Sequence, residues 1–460
     1  MSTREPFDPA GESASRVPDG GRHGEAHLLV DPKGSPNFLG PKLTPPQIGE
    51  RPAEPKPFWY VAMIILAQFG IFLALLGPVM VSMQLKINTL TDDPIQQAAM
   101  IGMVLPWGAL AAVIFNVVGG RISDRTTGKF GRRRLWMIVG TAGLLVALFV
   151  ISQGTNVWTL AIGWFIAQSF SNLAFASFMA SLADQLSMKQ YGTVSGLVGV
   201  AQNVGIMGAT WMGSFFSHNM LLLFMVPAVI GFVLMTLYAL CVPEPVLLKN
   251  EHPFSVKELL SSFWFNPREH PDFMLVWAGR FLITLAAFMF TTFRLLYMTR
   301  HLGLEQDEAV DVVAVGVTIY TVALMVAGVV GGALSDRFQS RKVWVAASCV
   351  LFGLGTYLLF HAETVGFFYV CEIILGLAYG VYVAVDLALA LSVLPDPANA
   401  GKDLGILNMA NALPQSLAPA VGAWALASLG AGENFMPLLV IAAVSSAIGG
   451  GLTMLIKGVR

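Results

Sequence analysis

A seven-residue segment that closes a long apolar run occurs twice in this chain. The first copy begins at Gly119 and reads Gly-Gly-Arg-Ile-Ser-Asp-Arg; the second begins at Gly331 and reads Gly-Gly-Ala-Leu-Ser-Asp-Arg. The two copies lie 212 residues apart, close to half of the 460 residues. Self-similarity at one fixed offset indicates an internal repeat. Two similar halves built from apolar segments are typical of membrane proteins, so the repeat favours that class.

The composition supports the same class. The chain is 55% hydrophobic and 12% charged, whereas a soluble domain carries about 25% charged residues. Too few charges remain to cover a water-facing surface, so we expect the lipid bilayer as the main surroundings. The net charge is −1 and the basic residues are clustered, so we expect no nucleic-acid partner. The three cysteines fall in apolar runs without metal or disulfide spacing, so no metal site is expected.

Twelve apolar runs are long enough to span a bilayer, which needs about 20 mostly apolar residues. We therefore predict an all-α membrane protein with twelve transmembrane helices in two pseudo-symmetric six-helix bundles. The predicted spans are near residues 58–83, 97–119, 135–153, 157–182, 194–215, 220–242, 272–296, 309–332, 343–361, 366–393, 404–428 and 435–456.

The domain boundaries follow from the segments between these runs. Residues 1–57 are rich in proline, glycine and charge, and lack the apolar core and cleavage site of a signal peptide. Such a segment buries too little apolar surface to offset its chain entropy, so we expect a disordered cytoplasmic tail. Residues 58–242 are predicted to form the first bundle, residues 243–271 a polar cytoplasmic linker, and residues 272–460 the second bundle.

Basic residues in the short loops predict the orientation. The loops after the second and eighth spans are basic, and the loops on the opposite side are acidic or neutral. Loops rich in lysine and arginine stay in the cytoplasm, so we expect both termini there and the protein in the cell membrane. The residues that carry this pattern are Arg121, Arg125, Lys129, Arg132, Arg133, Arg134, Arg337, Arg341 and Lys342.

The repeated Gly-x-x-x-Asp-Arg loop resembles the signature of the major facilitator superfamily. The longer first copy, from Ser123 to Arg134, is similar to the glycoside–pentoside–hexuronide:cation symporter branch, which includes melibiose-type carriers; plant sucrose carriers are similar. Gly401-Lys402-Asp403-Leu404-Gly405, with Asn411-Ala412-Leu413-Pro414-Gln415, also resembles bacterial sugar-transporter-like members. The resemblance covers everything after the tail. It implies a twelve-helix fold and a sugar or glycoside as substrate.

One departure from that branch concerns the coupling ion. Sodium-coupled melibiose-type carriers place paired acids in span 2 and another in span 4. Here span 2, from Ile101 to Val118, has no acid, and span 4 has none before Asp184 at its end. The departure argues against a sodium site of that kind, so we expect a proton as the coupling ion.

Two charged residues lie at equal depth in spans 7 and 10. The resemblance implies that spans 1, 4, 7 and 10 line a central cavity. Arg280 and Asp386 each lie roughly eight residues from the cytoplasmic end, which is about 12 Å at 1.5 Å per residue. A charge inside the bilayer costs at least about 2.5–3.5 kcal/mol, so we expect the two to be partners. They form either a coupling or substrate-binding pair, in which Asp386 takes the proton, or a structural salt bridge.

Span 10 carries a polar stripe along one helical face. Glu372, Tyr379, Tyr382 and Asp386 follow spacings of 7, 3 and 4. Acids and phenols suit a hydroxyl-rich ligand or a proton path, with Glu372 nearer the outside. The alternative for Glu372 is a side chain that snorkels outward from the helix end.

Neutral polar residues are the candidates in the first half, whose spans we interpret as uncharged. Gln168 and Asn172 share a face of span 4 with Trp164 one turn away. Amides hydrogen-bond sugar hydroxyls and an aromatic ring can stack on a pyranose; the alternative is interhelical hydrogen bonding. Gln68 is the repeat counterpart of Arg280 and is therefore a further cavity candidate.

The duplicated loop predicts a conformational latch. Its glycines allow close helix approach, and its aspartate can pair with a nearby arginine or cap a facing helix. In the family that it resembles, this loop favours one state of alternating access. The alternative is that its basic residues only set topology, a role that requires no acid. The candidate latch residues are Gly120, Asp124, Arg125, Arg132, Gly332, Asp336 and Arg337.

These features predict a secondary transporter that works by alternating access as a monomer, without a cofactor. The favoured activity is proton-coupled symport of a sugar or glycoside. No Walker A loop is present, so ATP does not drive it, and no HExxH or GxSxG motif indicates an enzyme. The alternatives are proton-coupled efflux of an amphipathic or drug-like compound and a receptor that has lost transport.

Overall fold

The computed structural model describes residues 29–31, 52, 54–127, 130–244, 246–249, 267–338, 340–394 and 400–457. Twelve long helices account for most of the described residues. They are α1 Phe58–Asn88, α2 Pro94–Arg125, α3 Arg134–Gln153, α4 Val157–Gln185, α5 Met188–Phe216, α6 Met220–Cys241, α7 Pro271–Arg300, α8 Gln306–Phe338, α9 Arg341–His361, α10 Val365–Ser392, α11 Ala400–Trp424 and α12 Met436–Met454.

Each helix coincides with one predicted span, which confirms the fold class. Within the described residues, ten of the twelve helices are long and apolar enough to cross a membrane. The other two, α5 and α11, are 29 and 25 residues long. They carry amides and prolines among their apolar residues, such as Gln202, Asn203 and Pro414. Helices of this kind are suited to contacts with other helices rather than with lipid alone.

Short polar loops start several helices on the same side of the molecule. Asn156 accepts a hydrogen bond from the backbone N–H of Thr159 at the start of α4. Asn219 caps α6 in the same way through the N–H of Leu222. An asparagine that precedes an apolar run is a common helix start, because its side chain satisfies a backbone donor that has no partner in the first turn.

The two bundles repeat one packing scheme. In the first, α1 packs on α5 and α6, α2 on α4, and α3 on α4 and α6. In the second, α7 packs on α11 and α12, α8 on α10, and α9 on α10 and α12. The bundles meet where α2 contacts α11 and α5 contacts α8. Each of these contacts has its counterpart six helices later, which is the pseudo-symmetry that the repeat predicted.

Helix α1 changes its winding near its end. Residues Pro78–Ser82 form a π-helical turn, after which the α-helix resumes and ends at Asn88. A proline removes one backbone donor and clashes with the preceding turn, so a local rewinding at Pro78 has a clear cause. The helix therefore extends five residues beyond the predicted end at residue 83, and it takes Lys86 into the span.

The two faces of the molecule differ in how the bundles meet. We call the side that carries the duplicated loops the motif face and the opposite side the far face. At the far face, Asn88 donates to Gln306 at 3.1 Å, and deeper in the same half of the molecule the indole of Trp211 donates to Thr318 at 3.0 Å. On the motif-face half of α5, by contrast, Leu197 is 40% exposed. In this conformation the bundles are joined at the far face.

Part of the predicted tail is ordered. Strand β1, Leu29–Asp31, pairs antiparallel with strand β2, Val246–Lys249, in the predicted linker. Backbone pairing with the linker offsets part of the chain entropy of these three residues, and the disordered tail stays a prediction. Most other tail positions, and linker positions 245 and 250–266, lie outside the described residues.

Candidate functional site

Arg280 of α7 and Asp386 of α10 form a buried ion pair. Their side chains are 6% and 5% exposed. Nε of Arg280 donates to Oδ2 of Asp386 at 2.7 Å, and Nη2 contacts the same oxygen. The equal depth on the two helices thus identified two real partners. A buried pair of this kind offsets part of its desolvation cost, and neither partner can be removed without leaving an uncompensated charge.

A second buried pair lies on the same two helices. Glu372 of α10 is fully buried and Arg294 of α7 is 5% exposed. Arg294 Nε lies 3.3 Å from Oε1, and its Nη2 donates to Oε2 at 3.4 Å. The outward-snorkelling alternative for Glu372 is therefore wrong, because the carboxylate has an inward partner. Sequence reasoning missed Arg294, although its charge inside span 7 was the signal that could have found it.

The stripe on α10 continues as a group of aromatic side chains. The rings of Tyr379 and Tyr382 lie 5.6 Å apart, and Tyr379 also packs 6.5 Å from Tyr320 of α8. Tyr382 is 4% exposed, and its hydroxyl makes no hydrogen bond to the described residues. The predicted stripe therefore lies between the two ion pairs, with a third tyrosine added from α8.

The amides of the first bundle bond mainly to one another. Asn172 donates to the backbone oxygen of Gln168 at 2.8 Å and to its side-chain oxygen at 3.0 Å. Asn116 of α2 donates to Asn172 at 3.5 Å. Gln68 of α1 donates to Gln202 of α5 at 3.4 Å and does not pair with Arg280, its repeat counterpart. These amides tie helices together in this conformation.

Trp164 packs between helices. It is 1% exposed, and a Cβ at Gly108 of α2 would lie 2.1 Å from its indole nitrogen. The missing side chain of Gly108 makes room for the ring against α2. The expected stacking of this ring on a sugar is therefore not available in this conformation.

The duplicated loop is tied into the first bundle at the motif face. Arg132 forms an ion pair with Asp184 at the end of α4. Arg133 lies 2.9 Å from Asp184 and 3.0 Å from Asp124. The candidate latch residues Asp124 and Arg132 therefore bridge α2, α3 and α4 within one bundle here.

The paired glycines of the motif have different roles. A Cβ at Gly119 would lie 2.9 Å from the Cα of Leu173 on α4, whereas a Cβ at Gly120 would meet no atom within 4 Å. In the second copy, Gly332 is half-buried and Arg337 is exposed. In the first copy, Gly119 therefore sets helix packing, whereas Gly120 faces open space. Arg125 ends α2, and the side chain of Asp336 lies outside the described residues.

A buried polar network lies beside this loop. Arg134, fully buried, donates from Nε to the carbonyl of Ala239 at 2.6 Å and from Nη2 to that of Val242 at 2.7 Å, which caps the end of α6. Glu244 is 1% exposed and accepts hydrogen bonds from Ser181 and Gln185, each at 3.1 Å. Burial raises the pKa of Glu244, and the neighbouring arginines oppose that shift.

Lys86 is a further residue that sequence reasoning missed. It is 8% exposed, and Nζ donates to the carbonyl of Ser152 near the end of α3 at 2.8 Å. The expectation that the first-half spans are uncharged is therefore wrong at this position, because α1 is longer than predicted. Lysine at a helix C-terminus satisfies an otherwise unpaired carbonyl and interacts favourably with the helix dipole.

An apolar groove lies away from these ion pairs. In the described part of the chain, no group of three or more His, Cys, Asp or Glu side chains is placed to hold a metal ion. A groove of about 700 Å³ lies between α3 and α4, lined by apolar side chains such as Val146, Trp158 and Ile162. These three side chains are each 59% exposed, as expected of a surface that faces lipid.

Two pseudo-symmetric six-helix bundles, a duplicated loop at one face and charge pairs buried within the helices define a multi-pass membrane protein of transporter architecture. The sequence profile described as Major Facilitator Superfamily matches residues 58–419 and, in a second match, residues 276–459. The chain belongs to the Major Facilitator Superfamily. This membership confirms the superfamily resemblance and places the chain among membrane transporters rather than enzymes.

Similar proteins agree with the family. The chain is 32% identical over 111 residues to the uncharacterized MFS-type transporter YfiU of Bacillus subtilis (strain 168); the match covers 24% of this chain and 21% of that protein. The crystal structure of the nucleoside transporter NupG (D323A mutant) superposes with a TM-score of 0.69 and 16% identity, over 86% of this chain and 99% of that one.

A second solved structure has the same fold. It is a bacterial homolog of the human lysosomal transporter Spinster, in an inward-facing and unoccupied conformation. The TM-score is 0.65 and the identity 15%, over 88% of this chain and 95% of that chain. At these identities the two structures establish the fold and leave the substrate open.

Proposed function

We propose that this protein is a proton-coupled secondary transporter that takes up a sugar or glycoside by alternating access. The Arg280–Asp386 pair carries the proposal. The pair consists of a buried carboxylate and its cationic partner, and it lies between α7 and α10 at the depth where a central site would lie. Ionisable residues inside a membrane are expensive, and in transporters they mark ion and substrate pathways.

Asp386 is the proposed coupling carboxylate. When it is ionised, Arg280 neutralises it; when it binds a proton, Arg280 is left as a buried cation. Such a state favours a rearrangement in which Arg280 meets water or a substrate hydroxyl group. Proton binding and substrate binding are then coupled through one side chain, as linkage requires.

The sugar assignment rests on the resemblance to the glycoside–pentoside–hexuronide:cation symporter branch and on the amides of the first bundle. Gln168 and Asn172 hydrogen-bond each other, so either can exchange that bond for one to a hydroxyl group. Each amide offers both donors and an acceptor, which matches the mixed character of sugar hydroxyls.

The conformation and the charge pattern together support an inward-facing state. Loops rich in arginine and lysine favour the cytoplasm, so the motif face is assigned to the cytoplasm and the N- and C-termini with it. The hydrogen bonds that join the bundles then lie at the outer face. We propose that Asp124 and Gly120 act in the opposite state, when the motif face closes.

Uptake into proteoliposomes tests the proposal. The purified protein is reconstituted and labelled sugars and glycosides are screened with and without an inward proton gradient. We expect concentrative uptake that an uncoupler abolishes. Asp386→Asn should abolish it, whereas Glu363→Gln, which alters an exposed loop acid, should not. Uptake that survives both Asp386→Asn and collapse of the gradient would contradict proton coupling.

The efflux alternative predicts transport of an amphipathic compound in the opposite direction, out of the compartment. Half-buried Trp277 and Phe281 of α7 are stacked 5.5 Å apart and offer an apolar surface to an amphipathic compound. A fluorescent amphipathic cation expelled from vesicles by an opposing proton gradient, with no sugar competing, would favour efflux.

Because Asp386→Asn leaves Arg280 unpaired, the double variant Arg280→Gln/Asp386→Asn is assayed beside it, and size-exclusion chromatography checks that both variants remain folded.

A further inference from the structure

The Arg294–Glu372 pair is not used by the coupling proposed for Asp386. It lies on the same two helices but nearer the far face. Arg294 is 14 residues from Arg280, and Glu372 is 14 residues from Asp386, a separation of about 21 Å along a helix. The outer pair is therefore a separate site, placed between the far face and the inner pair.

The two pairs differ in hydrogen bonding. Asp386 presents one oxygen to two donors of Arg280, with Nε at 2.7 Å. The contacts between Arg294 and Glu372 are 3.3 and 3.4 Å, and neither Arg294 Nε nor Glu372 Oε1 makes a hydrogen bond to the described residues. A buried pair joined by one long hydrogen bond recovers less of its desolvation cost than a pair with two short contacts. The outer pair is therefore the weaker of the two.

Arg294 also has partners that Arg280 lacks. Its Cζ lies 5.1 Å from the ring centre of Phe290 and 6.0 Å from that of Tyr320. The face of an aromatic ring attracts a guanidinium, most strongly where water is excluded. Among the described side chains, no ring is placed over the Arg280 guanidinium in this way. Arg294 therefore keeps a favourable environment even when its carboxylate partner is neutral.

We propose that Glu372 is a second proton-binding site, and that Phe290 and Tyr320 hold Arg294 when the proton is bound. The site deepens the proposed proton coupling and rests on it for its role in transport. One proton leaves a hydronium ion in the water on the far side and bonds to a carboxylate oxygen of Glu372. One O–H bond of the hydronium ion breaks, leaving a water molecule, one carboxyl O–H bond forms, and the charge of the pair rises from zero to plus one.

The groups around Glu372 are consistent with this role. From α7 it faces Arg294 and Tyr297, from α8 Tyr320, and on its own helix Cys371. The hydroxyl of Tyr297 donates its hydrogen bond to the carbonyl of Leu359 at 2.6 Å. Arg294 is therefore the cation that compensates Glu372, among the described side chains.

A row of phenols joins this site to the inner pair. Tyr320 packs on Tyr379, Tyr379 packs on Tyr382, and Tyr382 lies one helical turn from Asp386. These packed rings offer a route by which a rearrangement at Glu372 influences the surroundings of Asp386.

Infrared difference spectroscopy tests proton binding directly, without a substrate. The full chain in nanodiscs is moved from alkaline to acid pH and the stretching band of protonated carboxyl groups is recorded. We expect Glu372→Gln to remove one band that Asp386→Asn and Glu363→Gln retain. Glu372→Asp should restore a band at a shifted frequency. A Glu372→Gln spectrum identical to that of the parent would overturn the proposal.

The aromatic partners provide a second readout. In Phe290→Leu the ring no longer stabilises the unpaired guanidinium, so protonation of Glu372 should require about 1 pH unit more acid. If Glu372 is half-protonated at the same pH in Phe290→Leu as in the parent, the role of the ring is refuted. Because these measurements need no transport, the test of Glu372 by its infrared band is independent of the sugar-uptake assay of Asp386.

Discussion

The two bundles share one helix arrangement but place their charges at different depths. In the first bundle, Asp124 and Asp184 pair with arginines at the motif face. In the second, Asp386 and Glu372 are paired well inside the helices. Duplication thus preserved the packing scheme while the polar chemistry of the two halves diverged.

Packing explains part of this divergence. At the repeat offset, Asp386 corresponds to Ala174, which is fully buried against Gly140: a Cβ at Gly140 would lie 2.7 Å from that of Ala174. A carboxylate does not fit at such a contact without a large rearrangement. The first bundle uses this position for close helix packing, and the second uses it for a charge. A pseudo-symmetric position is therefore a guide to location but not to role.

The largest expected effect tests the charge asymmetry. Arg280→Met leaves Asp386 buried without its partner and should lower the free energy of unfolding by about 3–5 kcal/mol. The counterpart Gln68→Met removes one neutral hydrogen bond and should cost about 1 kcal/mol. Thermal unfolding in detergent, followed by tryptophan fluorescence, measures both. Equal shifts in the two variants would show that the inner pair adds no special stabilisation.

The next effect concerns the motif that both halves share. Gly119→Ala places a Cβ 2.9 Å from backbone of α4 and should cost about 1–3 kcal/mol. Gly331→Ala should cost less, because its nearest contact at 2.8 Å is a methyl group of Val381. Gly120→Ala should leave stability unchanged or raise it by about 0.5–1 kcal/mol, since no atom lies within 4 Å. The same unfolding assay ranks the three.

Transport separates the roles of the two neighbouring glycines. No atom lies within 4 Å of a Cβ at Gly120 in this conformation, so we expect the unfolding temperature of Gly120→Leu to match that of the parent. If the motif face closes at this residue during the cycle, the same variant should slow uptake at least several-fold. Normal uptake by Gly120→Leu would remove Gly120 from the proposed latch.

A pH dependence is expected from the first bundle. Because burial raises the pKa of Glu244 above its ordinary value, the folded state holds this proton more tightly than the unfolded state. Its contribution to stability is complete at pH values below the ordinary pKa and is lost as the pH rises through the raised one. The loss is at most about 1.4 kcal/mol for each pH unit.

Glu244→Gln should reduce the dependence of stability on pH over this interval. Unfolding temperatures measured from acid to neutral pH would show a smaller slope in Glu244→Gln than in the parent. The exposed control Glu363→Gln should keep the parent slope. A parent profile that rises with pH over this interval would contradict the assignment.

A small loss of stability is expected when the amides are tested. Asn172→Ala loses its hydrogen bonds to Gln168 and should cost about 0.6 kcal/mol, as such bonds do in membranes. If the amides bind substrate, its sugar uptake should fall far more than its stability. Asn203→Ala is the matched control, since that amide bonds to the backbone of its own helix. Equal losses of uptake in both variants would argue against a specific role for Asn172.

Much of the fold was predictable because apolar length and loop charge are local properties of the chain. The helix boundaries were less predictable: α1 continues through the π-helical turn Pro78–Ser82 and ends at Asn88, beyond the predicted end at residue 83. The Arg280–Asp386 pairing was predictable because depth along two helices can be counted from one face. Arg294 and Glu372 also lie at equal depth, so the same count could have found that pair. The packing of Trp164 against Gly108 depends on helix rotation and could not be counted in this way.

By itself the sequence determined the membrane class, the twelve spans, the duplication and the presence of charge in the second half. These follow from composition and spacing, which act on each segment separately. Only the tertiary structure decided that Arg132 and Arg133 pair with Asp184, that Trp164 is enclosed, that Glu244 is buried and that the bundles join at the far face. Each of these depends on how helices rotate and pack against neighbours that are distant in the chain.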